Sequence, residues 1–140
     1  MNTKTSLNEL YDIAEENSIT ILRTDCPECK AISTLSPNGN CFIGIDYRAI
    51  KGEKEERQYL AHDIGHCIKG AFYNFYSDYD CISQQEYRAD EAATRFLVPQ
   101  LDLEIALQTG YTEMWQLCEY FEVDEKYIRL AFWIYFDRII

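Results

Sequence analysis

The sequence predicts an α+β fold. An N-terminal helix and a small antiparallel sheet come first, a pair of helices carrying the candidate active site follows, and the C-terminal portion is helical. Three observations carry this expectation. Residues 6–17 set their apolar side chains on one helical stripe, residues 19–46 hold short β-branched runs around an Asn-Gly turn, and apolar spacing beyond Lys51 is mostly helical.

The elements follow in order. Leu7, Leu10, Tyr11, Ile13 and Ala14 form the stripe of the first helix, with Ser6 as its N-cap, Glu9 as the capping-box partner and an end near Asn17. Ile19–Leu22 is a short strand, interrupted by Cys26-Pro-Glu-Cys29. Residues 31–35 and 41–46 flank Ser36-Pro-Asn-Gly-Asn40 and read as a β-hairpin. A charged stretch from Lys51 opens a helix that turns apolar at Tyr59 and stops at Gly70. The aromatic stretch 71–82 has no clear period and reads as a loop. Ser83-Gln-Gln-Glu86 opens the next helix by capping-box spacing, and Pro99 lies past its end. Three short helices near 101–108, 112–121 and 124–138 complete the chain. No repeat or linker divides residues 1–140, so one domain is expected, with residues 100–140 as its helical tail.

Composition narrows the function. The chain has 140 residues, enough for an ordinary core without staples, and a net charge of −11. Such a charge repels phosphate backbones and anionic membranes, which disfavours nucleic acid and favours a basic or neutral protein partner. No apolar run approaches the ~20 residues of a membrane span. Met1–Glu16 lacks the profile of a signal peptide, so a cytoplasmic location is expected, where the six cysteines are mostly free thiols.

The chemistry centres on Leu60-Ala-His-Asp-Ile-Gly-His66, which holds the chain's only two histidines. Four apart on a helix, His62 and His66 lie one above the other on one face. Imidazoles so placed can share one divalent metal ion, zinc first. The acidic residue after the first histidine is the general base of the zinc-protease pattern H-E-x-x-H, and Asp63 stands there in place of glutamate. A catalytic zinc takes three protein ligands and keeps one position open. Glu86 is the third candidate. Asp90, four residues on, can fix an imidazole from behind. Bland readings stand beside these: two helix-face histidines without metal, Glu86 as the capping residue answering Ser83, and Asp90 as a surface carboxylate near Arg88 or Arg95.

His62-Asp-Ile-Gly-His66 and Glu86-x-x-Ala-Asp90, closed by Leu97-Val-Pro99, resemble the ImmA/IrrE family of metallo-endopeptidases. The resemblance extends over nearly the whole chain, through Gly44-Ile-Asp46, the loop Phe72-Tyr-Asn-x-Tyr76-Ser77 and a helix-turn-helix-like tail. It implies a zincin-like fold, zinc on His62, His66 and Glu86, and position 63 as general base. It also implies a bacterial cytoplasmic protein, often encoded on a mobile element, that cleaves or controls a DNA-binding repressor. The family has glutamate at position 63, and aspartate reaches about 1.5 Å less far. A general base must come within roughly 2.6–3.2 Å of its proton. A metal-binding domain that regulates its partner by binding alone is therefore the alternative.

Other motifs weigh less. His62-Asp63 also fits the HD phosphohydrolases, but that class needs a further histidine upstream, and there is none. Cys26 and Cys29 fit half a zinc knuckle or a redox pair, with a turn bearing two free thiols as the plain reading. Cys67 points away from the ligand face, as expected of a core residue. The tail from Leu101 carries eight acidic and three basic residues, so its helix-turn-helix spacing suits packing or a protein partner rather than DNA.

Overall fold

The structure is a computed structural model and describes residues 5–74 and 76–140. Met1–Lys4, at the head of the segment read for a signal peptide, and Phe75, within the aromatic loop, lie outside the described residues. The architecture is α+β: α1 (Leu7–Glu16), β1 (Thr20–Arg23), β2 (Ala31–Leu35), β3 (Cys41–Ile45), α2 (Glu53–Lys69), α3 (Tyr79–Leu97), α4 (Gln100–Thr109), α5 (Met114–Phe121) and α6 (Glu125–Phe136). The chain forms two compact units, Ser6–Ala93 and Thr94–Ile140 (the latter with Thr5).

In the first unit, Ser6 caps α1 as its sequence requires, its hydroxyl accepting from Glu9 N at 3.1 Å. The sheet is mixed, which corrects the wholly antiparallel expectation. Its order is β1-β3-β2, with β2 antiparallel and β1 parallel to β3. The hairpin explains this: β2 and β3 are joined by the turn at Gly39, whose φ of 88° suits glycine. β3 alternates buried and half-buried residues and takes the centre, leaving β1 to pair along its other edge. Cys41, Ile43 and Ile45 of β3 face the core with Leu10 of α1 and Leu60 and Ile64 of α2. Each large apolar side chain so buried stabilises the fold by roughly 1.5–3 kcal/mol.

Helix α2 ends as the sequence predicts, with Gly70 in the left-handed region. Helix α3 begins earlier than predicted, at Tyr79, and Asp78 caps it, its carboxylate accepting from Cys81 N at 2.7 Å. Ser83 and Glu86 therefore sit inside the helix, and the capping reading of Glu86 is overturned.

The cysteines also depart from expectation. Four of the six are paired, Cys26 with Cys29 and Cys41 with Cys67, and Cys81 and Cys118 are outside these disulfides. Residue types and spacing cannot reveal such pairings, because they depend on which elements the fold brings side by side.

In the second unit, α4, α5 and α6 bury Leu103, Ala106, Leu117, Phe121, Val123 and Ile128 together. Arg95 lies over the ring of Tyr135, whose hydroxyl donates to Val98 O at 2.8 Å. Among the described residues, no helix is long and apolar enough to cross a membrane.

Candidate metal centre

The centre is built on α2 and α3. The i, i+4 spacing stacks His62 and His66, with ring centroids 4.7 Å apart and planes at 83°. Opposite them, Gly65 lets α3 approach closely. A Cβ on Gly65 would lie 2.5 Å from the carbonyl oxygen of Ala89, so only glycine admits this packing. The approach brings Glu86 and Asp90, one turn apart on α3, against the imidazoles.

The hydrogen bonds fix the tautomers. His66 Nδ1 points at the carbonyl oxygen of Ala71, which can only accept, so Nδ1 carries the proton. Gly70 makes that contact possible, because its left-handed turn folds the chain back so that Ala71 N bonds His66 O at 2.9 Å. His62 Nδ1 donates to Asp90 Oδ1 at 2.8 Å. Both Nε2 atoms thus present lone pairs in the neutral rings. They lie 3.1 Å apart, and Glu86 Oε2 stands 3.0 Å from His62 Nε2 and 2.8 Å from His66 Nε2.

Three acceptors meeting at these distances repel one another unless a proton or a cation lies among them. In the metal-free state the proton serves. Burial opposes charge on His62, but Asp90 and Glu86 outweigh it and push its pKa up to about 9. Hydrogen bonds from His62 and then His66 hold the Glu86 carboxyl far below the usual carboxylate range. The donor set fits a metal equally well, since two imidazoles and a carboxylate are a standard three-ligand set for catalytic zinc.

Asp63 lies beside this group, and ligand atoms of His62, Asp63 and His66 all fall within 4.8 Å of one another, a cluster able to hold a metal ion. Between the two carboxylates, Glu86 is the better third donor, because its oxygen already touches both Nε2 atoms. Asp63 is only 5% exposed, and its Oδ2 has no hydrogen-bond partner among the described residues. Burial, partly offset by the nearby imidazoles, raises its pKa to about 6, and the Ser33 hydroxyl bonds it from β2.

No family model matches the chain, and no curated protein or solved structure matches it.

His62, Asp63, His66 and Glu86 line one cleft of about 410 Å³ with Tyr73, Ser33 and Cys29, and Asp90 stands behind His62. Asp90 is thus no free surface carboxylate. Tyr73 carried no individual role in the sequence, being one aromatic in an aperiodic stretch. Its hydroxyl donates to Glu86 Oε1 at 3.0 Å, leaving Oε2 to the histidines. Gly65 and Ser33 were equally silent. A glycine inside a predicted helix and a serine in a strand become informative only when their neighbours across the fold are known.

Proposed function

We propose that this protein is a zinc-dependent endopeptidase whose substrate is a partner regulatory protein of the repressor type. The observation that carries the proposal is the convergence of His62 Nε2, His66 Nε2 and Glu86 Oε2 at 2.8–3.1 Å, each imidazole being held from behind at Nδ1. His62, His66 and Glu86 would hold the zinc, which would supply Lewis-acid chemistry toward water and a peptide carbonyl.

The chain's own residues supply the rest. Asp63 Oδ2 is the atom free to take the proton of the attacking water and return it to the leaving amine. Asp63 follows the first histidine directly and lines the same cleft, so its carboxylate is placed for both transfers. Asp90 and Ala71 hold the ligand rings in one orientation, and Tyr73 holds Glu86. The repressor-type substrate and a cytoplasmic setting come from the resemblance to the ImmA/IrrE family. The net charge of −11 agrees with a basic or neutral protein partner.

A second reading is favoured by one observation: Asp63 is short, buried and bonded to Ser33. Such a base can fail to reach the water, leaving a metal-binding domain that controls its partner by binding alone.

The first test is the zinc content of purified protein by elemental analysis, beside His66→Ala and Glu86→Ala. One zinc per chain, lost or much weakened in both variants, supports the centre and its third ligand. Zinc retained in both would place the metal elsewhere and sink the proposal. Cleavage of candidate repressors by wild type but not by Asp63→Asn then separates the enzyme from the binding domain.

A further inference from the structure

The turn between β1 and β2 carries Cys26-Pro-Glu-Cys29, and its two cysteines are joined. This bond contrasts with the other one in the chain. Cys41 and Cys67 are 26 residues apart and tie the central strand to α2, and Cys41 is only 8% exposed. A cross-link of that span restricts the unfolded chain substantially, whereas one spanning three residues restricts it little. Stability therefore accounts poorly for the Cys26–Cys29 bond.

The turn is also held without it. Cys26 N donates to Asp46 Oδ2 at 3.0 Å, Lys30 N to Cys26 O at 2.8 Å, and Asp46 N to Lys30 O at 2.8 Å. Lys30 Nζ further pairs with Glu55 Oε1 of α2 at 2.7 Å. These bonds keep both cysteines in position when the sulfur–sulfur bond opens, so it can close again. Both residues are half-buried rather than sealed, and Cys29 lines the cleft that holds His62, His66 and Glu86.

We propose that Cys26 and Cys29 form an exchangeable dithiol–disulfide centre on the wall of this cleft, with small-molecule thiols and disulfides of the glutathione type as its reactants. A thiolate of the reductant attacks one of the two sulfurs, breaking the Cys26–Cys29 bond and forming a mixed disulfide. A second thiolate attacks the reductant's sulfur in that mixed disulfide and releases the cysteine. The two small thiols become one disulfide and give up two electrons and two protons. Cys26 and Cys29 take up both and become thiols. The inference does not rest on the protease reading, because the exchange needs neither metal nor peptide.

The test uses the full chain with Cys81 and Cys118 blocked by alkylation, equilibrated in mixtures of reduced and oxidised glutathione. Acid quenching, a second alkylating agent and peptide mass mapping then read each pair. The expected result is reversible passage of Cys26–Cys29 between disulfide and doubly alkylated forms within the glutathione range. Its opening should run at least about tenfold faster than that of Cys41–Cys67, because neither Cys26 nor Cys29 is buried whereas Cys41 is, and the Cys41–Cys67 bond closes a 26-residue span. In Cys26→Ser, Cys29 should collect a glutathione adduct from oxidised glutathione. Two free thiols at every ratio, opening only under denaturant, or opening no faster than Cys41–Cys67 would overturn the inference.

Discussion

The Gly65 Cα faces the backbone of Ala89 so closely that an added methyl would lie 2.5 Å from the Ala89 carbonyl oxygen. The obstruction is main chain, which cannot rotate aside, so Gly65→Ala must part α2 from α3. Alanine gains roughly 1 kcal/mol of helix propensity over glycine, while overpacking costs about 1–3 kcal/mol, so the clash wins. The variant should melt below wild type. It should also bind zinc at least about tenfold more weakly, because parting the helices withdraws Glu86 and Asp90 from both histidines. Thermal denaturation and a chelator competition titration check the two effects. Unchanged affinity would mean that the helix approach does not set the centre.

The residues behind the ligands should matter in graded order. Asp90→Ala removes the acceptor of His62 Nδ1–H, and such losses lower metal affinity about 10–100-fold. Tyr73→Phe removes only the bond to Glu86 Oε1, and because Tyr73 is exposed, water can take the place of its hydroxyl, so the loss should be the smaller of the two. Zinc affinities in that order, with both variants folded by circular dichroism, fit the centre described. A Tyr73 effect exceeding that of Asp90 would reverse the assignment of which ligand is held more firmly.

Much of this site was legible because its chemistry is local in sequence. His62 with His66, and Glu86 with Asp90, are each one helical turn apart, and that spacing survives into the fold. What was not legible depends on the third dimension. Ser83 and Glu86 imitate a capping box, yet Asp78, five residues before Ser83, caps α3. Nothing in Ile19–Leu22 names β3 as its parallel neighbour, and the pairing of Cys41 with Cys67 requires knowing that β3 lies beside α2.

Metal-free protein should lose stability at alkaline pH through His62. Its folded pKa is raised to about 9, against about 6.5 unfolded. Its contribution is therefore complete below about pH 6.5 and is lost as pH rises through 9. Glu86, lowered in the fold, contributes above its unfolded pKa of about 4.3 and loses that contribution in acid. The two are halves of one interaction and count once. In chelator, the melting-temperature gap between wild type and His62→Gln should be widest near pH 5–6.5 and narrow by pH 9.5. A gap that widens with pH would show that His62 is not held protonated by its carboxylate neighbours.

Asp63 decides between the two readings of function. Glutamate at this position adds about 1.5 Å of reach, and a displacement near 1 Å can change rate on the order of 100-fold. If Asp63 is the working base, Asp63→Asn should abolish cleavage of a candidate repressor while leaving zinc content unchanged, because the proposed ligand atoms lie on His62, His66 and Glu86. Asp63→Glu should then alter the rate without creating it. If cleavage appears only in Asp63→Glu, the natural side chain stops short of the water, held by Ser33 in its buried site, and the protein acts on its partner by binding. Loss of zinc in Asp63→Asn would contradict both readings, since it would make position 63 a ligand in its own right.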